Sequence, residues 1–174
     1  MRIGLFGGAF NPIHNGHLYL AAAAKEELKL DQIWFIPCYD YPFSIKNLKE
    51  TYLQRYNMVE IAILGSGDQS CMYEITRGGV SYTIDTIREV KKAMPNDYLC
   101  LILGPDVIDS FEEWKDSELI EKEISVKHAM IDFYCADINI RSRMIRDLVK
   151  KKRSIKHLVP DSVNNYIKIR KLYL

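Results

Sequence analysis

Apolar residues along this chain fall into short continuous runs, separated by longer stretches in which they recur every three or four positions. Arg2-Ile3-Gly4-Leu5-Phe6 runs into Gly7-Gly8, Ile33-Trp34-Phe35-Ile36 is stopped by Pro37, and Tyr98 to Leu103 is apolar throughout. Runs of this kind predict strands buried on both faces of a sheet. Between them, residues 18–28 predict a helix free of Gly and Pro. Leu53, Met58, Ile61, Ala62 and Leu64 mark a second helix, ended by Gly65-Ser66-Gly67. Residues 71–76 read as another strand and Gly78-Gly79 as a turn. A helix follows over 82–94, with Ser81 as its cap and Pro95 just past its end. Residues 39–49 read as an aromatic loop, 106–123 as mostly helical, and 129–134 as strand-like. Two basic helices finish the chain, the second beginning at Pro160. Strands alternating with helices predict an α/β fold, a doubly wound, Rossmann-like parallel sheet with helices on both faces. No repeat or linker interrupts residues 1–174, which read as a single domain with a basic helical C-terminus.

Composition narrows the class. The 174 residues are 48% apolar and 27% charged, enough to bury a core and unlike disordered or fibrous chains. No apolar run approaches the roughly 18 residues that a membrane span needs. The N-terminus runs directly into a glycine-rich motif, leaving no room for a signal peptide. Cys38, Cys71, Cys100 and Cys135 lie far apart, without a Cys-x-x-Cys pair. They read as reduced thiols of a cytoplasmic protein rather than zinc ligands.

The net charge of +1 conceals an asymmetry. Residues 141–174 hold eleven Lys or Arg against two Asp or Glu, a local +9, so residues 1–140 carry −8. A basic end points to an anionic partner, either a phosphate-bearing small molecule or a nucleic acid; a solvated helix face is the plainer alternative.

The sharpest motif is Gly7-Gly8-Ala9-Phe10-Asn11-Pro12-Ile13-His14-Asn15-Gly16-His17, between the first strand and the first helix. Glycines there let backbone N–H groups approach a phosphate, and a helix N-terminus adds partial positive charge. Two histidines three residues apart can face one anion, or can simply cap the helix. The spacing is neither the dinucleotide fingerprint nor a P-loop, and no third ligand suggests a metal.

These residues carry a resemblance. Gly8 to His17 resembles the Gly-x-Phe-x-Pro-x-His-x-Gly-His signature of the nucleotidyltransferase superfamily related to class I aminoacyl-tRNA synthetases. Within it, Ser81-Tyr82-Thr83-Ile84-Asp85-Thr86, then Gly104-Pro105-Asp106 with Phe111 and Trp114, then Ser154 to Pro160 with Val163 and Tyr166-Ile167, resemble nicotinate or nicotinamide mononucleotide adenylyltransferases. Two segments depart. The second phosphate motif reads Ile140-Arg141-Ser142-Arg143-Met144-Ile145-Arg146, keeping Ser142 and Arg146 but adding two arginines. The loop after the second strand keeps only Lys46 of the family's pattern, and residues 125–139 are shorter than the family's segment.

The resemblance implies attack of a mononucleotide 5′-phosphate on the α-phosphorus of ATP, with release of pyrophosphate. It assigns catalysis to His14, His17 and Arg146. ATP would lie on Gly7, Gly8, Ala9, Phe10, His14, His17, Gly104, Asp106, Ser142 and Arg146. The mononucleotide would meet Lys46, Tyr82, Thr83 and Trp114, with Trp114 as a stacking platform for the pyridinium ring. Helix core for Trp114, helix capping for Tyr82 and Thr83, and a solvated surface for Lys46 and Arg55 remain open. Mg2+ would arrive with ATP, held by phosphate and water. The implied partners are ATP and a pyridine mononucleotide, with no membrane, nucleic acid disfavoured and a homo-oligomer open. The alternatives are pantetheine-phosphate adenylyl or cytidylyl transfer by the same superfamily, and a non-catalytic nucleotide- or RNA-binding module.

Overall fold

The computed structural model describes residues 1–40, 52–104, 107–128 and 140–174, with the backbone alone at 126–128. Its sheet has five strands in the order β3-β2-β1-β4-β5, every pairing parallel. They are β1 (Arg2–Gly8), β2 (Gln32–Pro37), β3 (Gln69–Ser70), β4 (Tyr98–Leu103) and β5 (Ser125–His128). The helices are α1 (Asn15–Glu27), α2 (Tyr52–Ile63), α3 (Tyr73–Arg77), α4 (Thr83–Ala93), α5 (Ser117–Glu123), α6 (Ser142–Lys150) and α7 (Asp161–Ile169), with a 3-10 segment over Ile108–Glu113.

The continuous apolar runs divide their side chains between two cores, as strand alternation requires. On one side Phe6, Ile33, Phe35, Cys100 and Ile102 pack with residues of α1, α2, α6 and α7. On the other, Ile3, Leu5, Trp34, Ile36, Leu99, Leu101 and Leu103 pack with α4, the 3-10 segment and α5. Fully burying each such side chain contributes about 1.5–3 kcal/mol, so neither face tolerates a polar replacement cheaply. Gly4 lies where the packing is tightest: a Cβ there would stand 2.6 Å from Ile102 Cδ1 and 2.8 Å from Leu30 Cδ1.

Because β1 is flanked by β2 and β4, the chain leaves the sheet in opposite directions on either side of it. Ligands of open α/β sheets bind at such a switch point, outside the carboxyl ends of the strands. Gly7-Gly8 and Gly104 stand at those ends.

Several elements differ from their sequence signal. Residues 71–76 are no strand: the edge strand is only Gln69–Ser70, opposite Trp34 and Phe35, and Tyr73–Arg77 is a helical turn. Glu74 is its one buried position, in a run too short to show helical periodicity. Ser81 does not cap α4. Its hydroxyl accepts from the backbone N–H of Tyr39 at 2.9 Å and of Asp40 at 3.3 Å, tying the end of β2 to the start of α4. The helix predicted over 106–123 is broken by Trp114 to Asp116, where Asp116 is left-handed (φ 57°). The strand near 129–134 lies outside the described residues, and β5 ends at His128. Cys38 and Cys71 are buried free thiols and Cys100 is buried; Cys135 lies outside the described residues.

Candidate active site

The glycine-rich turn continues β1 into α1. Phe10 takes a left-handed backbone (φ 43°), uncommon for a bulky residue, and its ring is almost fully buried. It packs edge-on against Phe6 at 5.5 Å and His17 at 5.0 Å, and tilted on Phe35 at 5.8 Å. Gly8 makes room for that ring, since a Cβ would lie 3.0 Å from Phe10 Cζ. At Gly7 a Cβ would meet open space, so the backbone is accessible there.

His14 is the N-cap of α1, in extended conformation. Its Nδ1 accepts from the backbone N–H of His17 at 3.4 Å, and His17 Nδ1 accepts from the backbone N–H of His14 at 3.2 Å. The two rings stack with centroids 3.6 Å apart. The capping role and a ligand-facing role are therefore compatible, because capping occupies only the Nδ1 atoms. It also sets the tautomer: an accepting Nδ1 leaves the proton on Nε2. Burial lowers the His14 pKa to about 4. Burial, reinforced by His14, holds His17 well below the ordinary imidazole range. Each is a neutral N–H donor.

The loop between β1 and α1 is gripped from behind at four points. Arg55, on α2, is fully buried and donates from Nη1 to the Ala9 carbonyl at 2.7 Å and from Nη2 to the Cys38 carbonyl at 2.6 Å. Arg146 Nη1 donates to the Asn11 carbonyl at 2.7 Å, Ser142 Oγ to the Pro12 carbonyl at 2.8 Å, and the Tyr173 hydroxyl to Asn11 Oδ1 at 2.7 Å. Asn15 joins the same assembly, donating to the carbonyls of Leu158 and His157, both at 2.9 Å. In the trans peptides Ala9-Phe10 and Pro12-Ile13, the N–H groups point opposite to those occupied carbonyls, away from Arg55 and Ser142.

One sequence expectation changes here. Arg55 is not a solvated surface residue; it is a strut spanning two backbone carbonyls. Its place was legible, since Tyr52, Arg55, Val59 and Ile63 repeat with the spacing of a buried helical stripe. The N-cap of α6 is Arg141, and the hydroxyl of Ser142 serves the loop. Arg141 and Arg143 are exposed beside it. Asn11 and Tyr173 went unnoticed: Asn11 occupies a variable place in the motif, and Tyr173 has no sequence signal.

On the other side of the switch point, Tyr82 is the N-cap of α4 without a side-chain bond, so its hydroxyl does not cap. Thr83 opens the helix, half-exposed. Lys115 lies over the Tyr82 ring at 4.3 Å, bringing the Trp114 segment to the start of α4. Trp114 is half-buried, tilted on Phe111 at 5.5 Å. Its indole N–H is buried without an acceptor among the described residues. Gly104 is buried, its carbonyl accepting from Val107 N–H at 3.1 Å. Lys46 and Asp106 lie outside the described residues. Among the described residues no cluster of His, Cys, Asp and Glu is suited to hold a metal ion, and no helix is long and apolar enough to cross a membrane.

The chain is similar to known proteins along nearly its whole length. The family model for cytidylyltransferase-like proteins matches residues 5–163. A Dictyoglomus thermophilum protein carrying the name probable nicotinate-nucleotide adenylyltransferase is 38% identical over the whole of both chains. One of the same name from Shouchella clausii is 32% identical, covering 99% of this chain and 96% of its own. Among solved structures, a Vibrio parahaemolyticus protein described as a nicotinate-nucleotide adenylyltransferase superposes with a TM-score of 0.76 at 20% identity, covering 96% of this chain and 99% of its own. A Plasmodium falciparum nicotinic acid mononucleotide adenylyltransferase, solved with NaAD, superposes with a TM-score of 0.69 at 20% identity, covering 99% of this chain and 97% of its own. These likenesses establish the doubly wound fold.

Proposed function

The chain belongs to the cytidylyltransferase-like family, and we propose that its activity is that of its nicotinate-nucleotide adenylyltransferase relatives: AMP moves from ATP to nicotinate mononucleotide, releasing pyrophosphate, in NAD biosynthesis. The observation that carries the reading is the pair of neutral imidazoles at the helix start, each with its proton on Nε2.

The nucleophile is a phosphate monoester, already anionic near neutral pH, so the site needs no strong base. Catalysis then rests on alignment and on stabilising charge as it develops on the phosphate oxygens. His17 is assigned to the α-phosphate region and His14 to the outer phosphates, each donating from Nε2. Neutral donors suit this task, since they strengthen with charge on the oxygen without having to lose their own proton. Arg146, with one nitrogen on the Asn11 carbonyl, has donors left for the β and γ oxygens. The accessible backbone at Gly7, continuing through Gly8, Ala9 and Phe10, forms the floor on which the triphosphate lies.

Trp114 is assigned to the pyridinium ring, its face for stacking and its unpartnered indole N–H for a polar contact. Tyr82, Thr83 and Lys46 would complete the mononucleotide side, with Gly104 and Asp106 on the ribose side of ATP. Magnesium belongs with the triphosphate, because the loop offers N–H donors and imidazoles rather than carboxylate oxygens. It would offset phosphate charge.

The test is to incubate the protein with ATP, Mg2+ and either nicotinate or nicotinamide mononucleotide and to measure pyrophosphate. Faster release with nicotinate mononucleotide is expected. Release with neither, but with phosphopantetheine or a CTP-dependent acceptor, would place the chain elsewhere in its family.

A further inference from the structure

Asn11 is held twice, by Arg146 and by Tyr173. Arg146 takes its backbone carbonyl, and the Tyr173 hydroxyl, 162 residues away, takes its side-chain oxygen at 2.7 Å. Lys171 is the left-handed residue (φ 51°) just past α7, with Leu172 N–H on the Ile167 carbonyl at 3.0 Å, the same stop that Lys29 and Lys152 make after α1 and α6. Tyr173 is left-handed as well (φ 64°), an uncommon backbone for a bulky residue. Leu172 and Tyr173 pack on the core shared by α1, α2, α6 and α7. The phenol is pushed up in pKa by burial, against the opposing pull of Arg146 and Arg55, so it stays a protonated donor. Asn11 lies three residues before His14. Any drift of its side chain is carried into the loop that presents the imidazoles.

We propose that Tyr173 is a positioning residue of the transfer site: its phenol fixes the Asn11 side chain, and through it the loop that presents His14 and His17 to the ATP phosphates. This rests on the adenylyltransferase reading for its kinetic consequences, and on the loop geometry alone for its effect on ATP binding. The Tyr173 hydroxyl is spent on Asn11, so its role toward substrate is indirect. It differs in this from Arg146, which both braces the loop and has nitrogens free for phosphate.

The experiment compares the wild type with Tyr173→Phe, Asn11→Ala and the double variant. Three quantities are read: affinity for a non-hydrolysable ATP analogue by calorimetry, kcat with KM for each substrate, and Tm. Tyr173→Phe keeps the ring in its packing and removes only the hydroxyl, so the fold survives. It should weaken analogue binding and lower kcat about three- to tenfold, the effect of one neutral hydrogen bond. KM for nicotinate mononucleotide should stay at its wild-type value, and Asn11→Ala should lose nothing further when Tyr173→Phe is added. Unchanged analogue affinity and kcat in Tyr173→Phe, or losses that add in the double variant, would overturn the proposal. A lowered Tm with wild-type kinetics would do the same, leaving Tyr173 as packing. A wild type that binds the analogue yet releases no pyrophosphate would sink the acceptor assignment alone, and the affinities would still decide Tyr173.

Discussion

His14 and His17 each accept a hydrogen bond from the other's backbone N–H, and their rings stack at 3.6 Å. One interaction thus caps a helix, aligns two side chains and fixes both protons on Nε2. Protonating either Nδ1 would set a donor against a donor.

The first prediction is a pH dependence of stability. The folded pKa values lie below the unfolded value of 6.5, so the unfolded chain takes up protons that the folded one refuses. Stability from these groups is complete above that value and is lost as pH falls toward about 4. His14→Asn keeps a capping acceptor without titrating. Urea unfolding should show the variant losing about 2 kcal/mol less than wild type between about pH 7 and about pH 5. Equal losses would mean that His14 is not held neutral.

His17→Ala should lower kcat by about 10²–10³, since it removes a donor whose bond strengthens as the α-phosphorus is attacked. It should also cost about 1 kcal/mol of stability, because the His14 N–H loses its acceptor. Binding of the mononucleotide should persist. A variant keeping a tenth or so of wild-type kcat would reduce His17 to its capping role.

Arg146→Ala should cost at least about tenfold in kcat/KM, against less than about threefold for Arg141→Ala or Arg143→Ala. Arg146 holds the Asn11 carbonyl, whereas the other two side chains are exposed. The reverse order would move the phosphate grip to the extra arginines.

Trp114→Ala should raise KM for the mononucleotide about tenfold while leaving KM for ATP near wild type, as loss of ring stacking requires. Equal weakening of both substrates with a large fall in Tm would return Trp114 to the core beside Phe111.

Arg55→Met should destabilise the protein by about 3 kcal/mol or more, because the Ala9 and Cys38 carbonyls lose their donors in a buried setting. Arg55→Lys should not restore it, since one ammonium cannot reproduce the guanidinium fork. Denaturant midpoints decide this, and a change within about 0.5 kcal/mol would show that the strut is dispensable.

The strands were legible wherever they are buried on both faces. Ile33–Ile36 and Tyr98–Leu103 announce themselves because both sides of the sheet are covered. The edge strand was not, because Gln69 and Ser70 are polar and pair over only two residues. At the candidate site, the glycines and histidines of the turn were readable from the motif, since a strand running into a helix through Gly-Gly and a His-x-x-His pair is distinctive in sequence. The contacts that hold it from behind were not. Ser142 and Tyr173 act on backbone or amide groups that any sequence would offer, and only the fold places them opposite Pro12 and Asn11.

The grip on the loop after β1 has a bearing on how the chain folds. The histidine cap closes between residues three apart, an event on the timescale of helix formation. The bonds from Ser142, Arg146 and Tyr173 close across 130, 135 and 162 residues. Contacts so distant form only after the intervening chain has collapsed and its loop entropy has been met. The first strand and helix can therefore exist with their motif complete and these bonds still open. On the adenylyltransferase reading, ATP would meet a finished loop only once both ends of the chain are in place, which makes occupancy of the site a reporter of the whole assembled sheet.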